Sequence, residues 1–376
     1  MRTITSFGMT LFLSLAFTAC TPKMEAPEPT GPDTKWYVGH ESNTSFSLDN
    51  ANQLAGLAEL VNGGVDFSEK TITLTKDIDL STYSVSTKAS APSWIPIGTY
   101  DNPFRGTFDG NNKKITGLFI NDEALDYAGL FGRINCGKVQ DLGIELAQGG
   151  ITAKTFVGAV VGAVWGGSVE NCYAKGNISG ESYVGGVAGR VDFDNIFSDP
   201  MVDGSISNCY STGSVFGSGN YVGGVIGIIY GDIANCYSTS SVNSTGNYVG
   251  GVIGRFHSYN SMENCYATGS VNSTGNWVGG VAGGAFNPME NCVALNPSVS
   301  GSSFVGRVAG TGSGTNNAAW EEMTVNNATV GTGNATNQHG ANVTVATAQT
   351  VAFWTGAMGW STSVWNISAG NYPTLK

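Results

Sequence analysis

One glycine-rich heptapeptide recurs through the middle of the chain, and it limits the folds available. The copies are FVGAVVG from Phe156, YVGGVAG from Tyr183, YVGGVIG from Tyr221 and again from Tyr248, WVGGVAG from Trp277 and FVGRVAG from Phe304. A shorter relative, YAGLFG, begins at Tyr127. Their final glycines, Gly132, Gly162, Gly189, Gly227, Gly254, Gly283 and Gly310, are 30, 27, 38, 27, 29 and 27 residues apart. A unit that recurs at a near-fixed period stacks on copies of itself, so the fold is an array.

Each unit reads as three short strands. The first is the glycine motif. The second runs into Asn-Cys, as in SMENCYA over Ser261–Ala267, and the third is a Gly-Ser-Val piece such as Gly269-Ser270-Val271. Glycine doublets and β-branched residues argue against helix. Units of this length, each with three strands, predict an all-β, right-handed parallel β-helix, a solenoid. The alternative is a β-propeller, whose blades hold four strands over about 40–50 residues. Thr71–Thr75, Phe104–Phe108 and Lys114–Leu118 extend the pattern upstream, to about nine coils and a rod of roughly 40 Å.

Cysteine follows the same period. Cys172, Cys209, Cys236, Cys265 and Cys292 each follow an asparagine, and Leu142 holds the equivalent place in the first repeat. Leucine in place of cysteine predicts a buried apolar position. Val169, Ile206, Ile233, Met262 and Met289 also read as inward, so strict alternation would turn the cysteines outward. The asparagine is therefore expected at a left-handed bend that resets the parity. Export favours disulfides, but parallel side chains on stacked rungs do not aim at one another, and free thiols are expected. Cys136 stands outside the pattern.

The N-terminus carries Arg2, an apolar run over Phe7–Phe17, and Thr18-Ala19-Cys20. That is the plan of a secretory signal peptide, too short to span a bilayer. The cysteine after a small residue resembles the lipobox of bacterial lipoproteins. The resemblance implies cleavage before Cys20 and acyl chains on it; an ordinary signal peptide with an incidental cysteine is the alternative. Residues 21–34 are proline-rich and read as an extended tether. Asp49–Val61 reads as an amphipathic helix closing one end of the solenoid. After Gly310 the period is lost, and Trp320, Trp354, Trp360 and Trp365 gather there. The expected division is 1–19 signal peptide, 20–34 lipidated cysteine and tether, 35–125 N-terminal helical cap and first coils, 126–310 repeat β-helix, and 311–376 irregular C-terminal cap.

The repeats resemble the GLUG motif of bacterial surface and adhesin-like proteins. VNGGVDF (Val61–Phe67), KTITLTKDIDL (Lys70–Leu80), WIPIG, FRGTFDG and YAGLFG resemble the lead-in that accompanies it. The resemblance implies an exported β-helical surface protein. It also touches a zinc metallopeptidase that cleaves immunoglobulin A, whose His-Glu-x-x-His site is not met by His40, His257 and His339. On that ground the chain is expected not to be an enzyme.

A net charge of −11 without a basic run argues against nucleic acid. Asp192, Asp194, Asp199 and Asp203 cluster in the loop behind the 38-residue spacing and are the candidate calcium ligands, with a solvated loop as the competing reading. No cofactor is expected. Tyr173, Tyr210, Tyr237 and Tyr266 recur beside the cysteines and are expected to stack outward as a ligand face. The expected function is a lipid-anchored binding or adhesion module, monomeric, with a glycan or host protein as ligand. The alternatives are a carbohydrate-active enzyme on the same scaffold and a structural spacer.

Overall fold

The computed structural model describes residues 31–81, 93–193, 203–257, 261–312 and 314–376. Nearly every strand pairs in parallel with its counterpart one coil away, which makes a parallel β-helix. The three expected segments per coil are subdivided. One middle coil holds Val222–Gly223, Ile226–Ile229, Asp232–Ala234, Tyr237–Ser238 and Ser241–Ser244.

The glycine motif is therefore two strands with a corner between them. In the Tyr248 copy, Val249–Gly250 and Ile253–Phe256 belong to different seven-stranded sheets. The glycines of this corner have ordinary φ. What they need is room: a Cβ on Gly251 would lie 2.0 Å from the carbonyl oxygen of Gly280 in the next coil. The left-handed residue of the motif is instead its aromatic. Tyr127, Phe156, Tyr183, Tyr221, Tyr248, Trp277 and Phe304 have φ of 63, 54, 58, 65, 60, 59 and 55°.

The asparagine bend is where the parity argument placed it. Asn171, Asn208, Asn235, Asn264 and Asn291 have φ between 52 and 55°. The cysteines behind them point inward, buried and free. Each thiol donates to the carbonyl two residues back: Cys172 to Glu170 at 3.1 Å, Cys209 to Ser207 at 3.2 Å, Cys265 to Glu263 at 3.2 Å. This explains why cysteine suits the site. The bend turns a carbonyl toward the core, and a thiol is small and apolar yet still supplies a donor. Burial pushes the Cys209 and Cys265 thiols up, so they stay protonated. Inside, Val169, Ile206, Ile233, Met262 and Met289 form one buried column. Each such side chain contributes about 1.5–3 kcal/mol of burial.

The ends are closed differently. At the N-terminal end the helix Ala51–Asn62, capped by Asn50 accepting from the Gln53 amide, buries Leu54, Leu57, Ala58 and Val61. Residues expected in the tether reach this helix: the Asp33 amide donates to the Asn52 carbonyl at 2.8 Å. At the other end parallel pairing continues past Gly310 through Ala318–Trp320 to Ala341–Val343. There Arg307 takes the corner place that Gly186, Gly224, Gly251 and Gly280 hold in the four preceding copies and is fully buried, donating to the carbonyls of His339, Trp320 and Gly340 at 3.1, 3.2 and 3.1 Å.

The last stretch, Val345 onward, folds back along the side of the coil as a flap. Trp354, Trp360 and Trp365 are buried in it, and the Trp360 indole donates to the Asn291 carbonyl at 3.1 Å.

Candidate functional site

The four tyrosines behind the cysteines form a ladder in register. Tyr173, Tyr210, Tyr237 and Tyr266 stack with ring centres 5.1, 4.7 and 5.0 Å apart. The expected outward face is only half open. Tyr237 and Tyr266 lie under the flap, against Trp365 and, for Tyr266, Trp354 and Trp360 as well. The Tyr266 hydroxyl donates to the Pro373 carbonyl at 2.6 Å. These two rings are core to the flap and offer nothing to a ligand as the chain stands.

Tyr173 and Tyr210 emerge beyond the flap into a cleft of about 600 Å³, lined also by Asp77, Lys113, Lys114, Asn171 and Asn208 and closed on one side by Lys376. The asparagines form a second ladder along its floor: Asn171 donates to Asp141 at 2.8 Å and Asn208 to Asn171 at 2.9 Å. Beside the cleft, Glu145 holds ion pairs of 3.3 Å with both Lys114 and Lys175. Burial works against this carboxylate, yet the two ammonium donors bring it below the usual range. The Tyr173 hydroxyl lies 3.5 Å from Glu145. Burial and then the Glu145 charge push that phenol up to about 12. The cleft thus presents phenol, amide, ammonium and carboxylate groups within one short groove.

A longer ladder runs along the opposite edge of the glycine motif. Tyr127, Phe156, Tyr183, Tyr221, Tyr248, Trp277 and Phe304 stack with ring centres 4.8, 4.8, 5.0, 5.3, 4.6 and 5.6 Å apart. Stacked rings use their faces on each other, so this ladder shows ring edges to solvent. Sequence reasoning missed the arginines beside it, Arg133, Arg190 and Arg255. They lie two coils apart, and no local run of charge announces them. The signal is their shared place, directly after the final glycine of alternate motif copies.

Of the candidate calcium ligands, Asp192 is buried and paired with Arg190 through its Nη2. Asp203 lies at the mouth of a separate shallow pocket with Cys136 and Lys138. Asp194 and Asp199 lie outside the described residues, as does Cys20. Among the described residues no group of three His, Cys, Asp or Glu side chains could hold a metal ion. No described helix is long and apolar enough to cross a membrane.

With this geometry in hand, comparison with known proteins is informative. Residues 157–179, 180–215 and 218–243 match the model of the GLUG motif. The chain carries GLUG repeats. It is 31% identical over 157 residues, 41% of its length, to "Halomucin" of Haloquadratum walsbyi. It is 34% identical over 140 residues, 36% of its length, to a "Putative Gly-rich membrane protein" of Evansella cellulosilytica. It spans only 2% and 15% of those two relatives. The crystal structure of a "putative immunoglobulin A1 protease" from Bacteroides ovatus superposes with a TM-score of 0.58 at 21% identity, over 88% of this GLUG-repeat chain and 92% of that one. At that identity the likeness establishes the shared β-helical fold.

It also corrects one expectation. The expectation that the chain is not an enzyme rests on the want of a catalytic motif, the His-Glu-x-x-His pattern above all. A protein with this fold over nearly its whole length bears a protease designation, so the absence of that pattern does not carry the exclusion.

Proposed function

We propose that this chain is an exported surface protein, held to a membrane by acyl chains on Cys20, whose β-helix binds a glycan in the cleft at Tyr173 and Tyr210. The observation that carries the reading is the cleft itself. It is the part of the tyrosine ladder the flap leaves open, and its lining mixes hydroxyl, amide and ammonium groups along a coil edge. Polyhydroxylated chains are recognised by such convergent polar groups beside aromatic edges. The relative designated a membrane protein supports the surface placement.

Retention on a glycan array, and adhesion to host cells, test the binding reading on the chain from Thr21 to Lys376. Tyr210→Ala with Lys114→Gln should abolish glycan retention while far-UV spectra stay unchanged. Adhesion to cells stripped of glycans would shift the ligand to a host protein, and no retention in either assay sinks the binding reading. Cys20→Ala should release the protein from the membrane fraction; unchanged retention there removes the anchor.

A second reading is favoured by one cluster. Glu145 between Lys114 and Lys175, beside the Tyr173 phenol, is the arrangement a chain-cleaving site on this scaffold would use as acid, base and charge stabiliser. New reducing ends released from a retained glycan, and lost in Glu145→Gln, would establish it; an intact glycan after prolonged incubation would dismiss it.

A further inference from the structure

The outer face of the sheet that follows each motif corner carries a two-coil repeat. Register places Arg133, Ala163, Arg190, Ile228, Arg255 and Gly284 in one column. Two residues further along each strand, Asn135, Trp165 and Asp192 stand in a second column, which Tyr230, His257 and Phe286 continue. The two columns alternate in opposite phase. Where the first holds arginine, the second holds Asn135, Asp192 or His257. Where the first holds a small or apolar residue, the second holds Trp165, Tyr230 or Phe286.

The alternation lets each guanidinium lie over large rings of adjoining coils. Arg133 is 4.4 Å from the Trp165 ring centre and 4.6 Å from that of Tyr100. Arg190 lies between Trp165 at 5.7 Å and Tyr230 at 5.5 Å. Arg255 lies 4.6 Å from Phe286 and 4.9 Å from Tyr248 in the motif ladder. Rings on both sides hold the guanidiniums flat and part-desolvated, which strengthens any charge they meet.

The charges are not equally spent. Arg190 is neutralised by Asp192, accepting from its Nε at 3.0 Å. Among the described residues Arg133 and Arg255 have no carboxylate within ion-pair distance; Arg133 donates to the Tyr100 carbonyl at 2.5 Å and Arg255 to the Tyr221 hydroxyl at 3.3 Å. The Nε of each is buried with no partner. Two incompletely satisfied cations on a strongly acidic chain are costly unless something anionic completes them. The neighbouring ladder adds to this. Stacked aromatics turn their positive edges outward, and an edge attracts anions as a face attracts cations.

We propose that this arginine-and-ring face binds a linear acidic glycan, one bearing carboxylates or sulfates at regular intervals, laid along the solenoid axis. The site is separate from the cleft, and the proposal does not depend on the reading given to that cleft. Periodicity favours an extended polymer over a compact anion. Coils rise by about 4.8 Å, and a chain of end-linked pyranose rings advances by a similar step per ring. With Arg190 spent on Asp192, the two open cations, Arg133 and Arg255, stand four coils apart and meet acidic groups about four sugars apart on such a chain. Neutral glycan is disfavoured, because the ring faces a sugar would stack on are already occupied.

The test is affinity chromatography of the chain from Thr21 to Lys376 on an immobilised polyuronate, a sulfated glycosaminoglycan and neutral dextran, at low and then rising salt. Expected are retention on both acidic matrices, passage through dextran, and elution by salt because exposed charge pairs are screened. Arg133→Gln with Arg255→Gln should weaken retention by about tenfold per arginine removed. The variant Arg133→Lys with Arg255→Lys should bind between the two, since charge survives without the fork. Lys154→Gln, an exposed lysine that belongs to neither site, should leave acidic-glycan retention unchanged. The proposal is overturned if the double glutamine variant, folded by its spectrum, is retained on the acidic matrices like the parent, if Lys154→Gln loses as much binding as the double glutamine variant, or if single-stranded DNA is held as tightly as the acidic glycans.

Discussion

The two aromatic ladders stack their rings at nearly the same spacing, yet they reach that geometry by opposite routes. Tyr173 to Tyr266 sit on strands whose pleat already turns them outward. The seven motif aromatics sit at a corner and are turned outward by left-handed backbone, which bulky residues adopt at a cost of about 1–2 kcal/mol each. That conformation persists because the coil bonds the peptide on both sides: the Tyr248 amide donates to Asn276 and the Val249 amide to Trp277, each at 3.0 Å. Stacking offsets the strain by about 0.5–1.5 kcal/mol per contact. The unstrained ladder is the one the chain can afterwards cover with its own flap. The strained one stays at the edge, facing solvent.

The largest effect should come from uncovering the first ladder. Trp360→Ala removes a buried ring that touches Tyr266, Trp354 and Trp365 and donates to Asn291. A loss of about 3–5 kcal/mol is expected in the flap. Limited proteolysis should then cut between Val345 and Lys376 while the coil unfolds at its normal denaturant midpoint. Simultaneous loss of the coil would show that the flap is part of the core.

Next in size is the backbone term. Tyr210 and Tyr221 are both half-buried ladder rings, one on a strand and one left-handed. Tyr210→Gly loses stacking and adds about 0.5–1 kcal/mol of chain entropy. Tyr221→Gly loses similar stacking but releases the left-handed strain. Chemical denaturation should find Tyr221→Gly the milder by about 2 kcal/mol. Equal losses would mean the corner backbone carries no strain.

Much of this architecture is legible in the chain. The period, the parallel coil, the asparagine bend and the inward cysteines all follow from Asn-Cys pairs recurring with an apolar column ahead of them, because side-chain parity leaves one consistent arrangement. What the chain conceals is lateral. Nothing in the run from Val345 to Lys376 says that its tryptophans fold over Tyr237 and Tyr266 rather than over the open end, since both are apolar surfaces in need of cover. The corner inside the glycine motif is hidden for another reason. Glycine suits a turn by its φ and a close backbone approach by its lack of Cβ, and only the distance from Gly251 to Gly280 decides between them. The Arg133, Arg190 and Arg255 column was readable, but only with the copies aligned two by two.

Hydroxyl deletion gives a smaller contrast. Tyr266→Phe leaves the Pro373 carbonyl without its buried donor and should cost about 1 kcal/mol. Tyr248→Phe, at the solvent edge, should change stability by under about 0.5 kcal/mol. Thermal unfolding of the two variants side by side measures the difference, and a larger loss for Tyr248 would reverse the assignment of covered and open ladders.

The gentlest probe is alkaline titration, and its sign follows from burial. A phenol held above its ordinary value of 10 keeps its proton more firmly folded than unfolded. Its contribution to stability is whole below pH 10 and is lost as pH climbs toward about 12, the value of Tyr173. Burial moves Tyr210, Tyr237 and Tyr266 in the same direction. In the motif ladder burial also raises Tyr127 and Tyr183, but the charges of Arg133 and Arg190 pull back. Tyrosinate absorbance from Tyr173, Tyr210, Tyr237 and Tyr266 in the folded protein should therefore rise at higher pH than that of free tyrosine. Arg133→Gln should push the Tyr127 phenol further up and leave Tyr173 in place, since removing a cation next to Tyr127 leaves burial less opposed there. A single stage centred at the free-tyrosine value would mean that neither ladder is shielded from water.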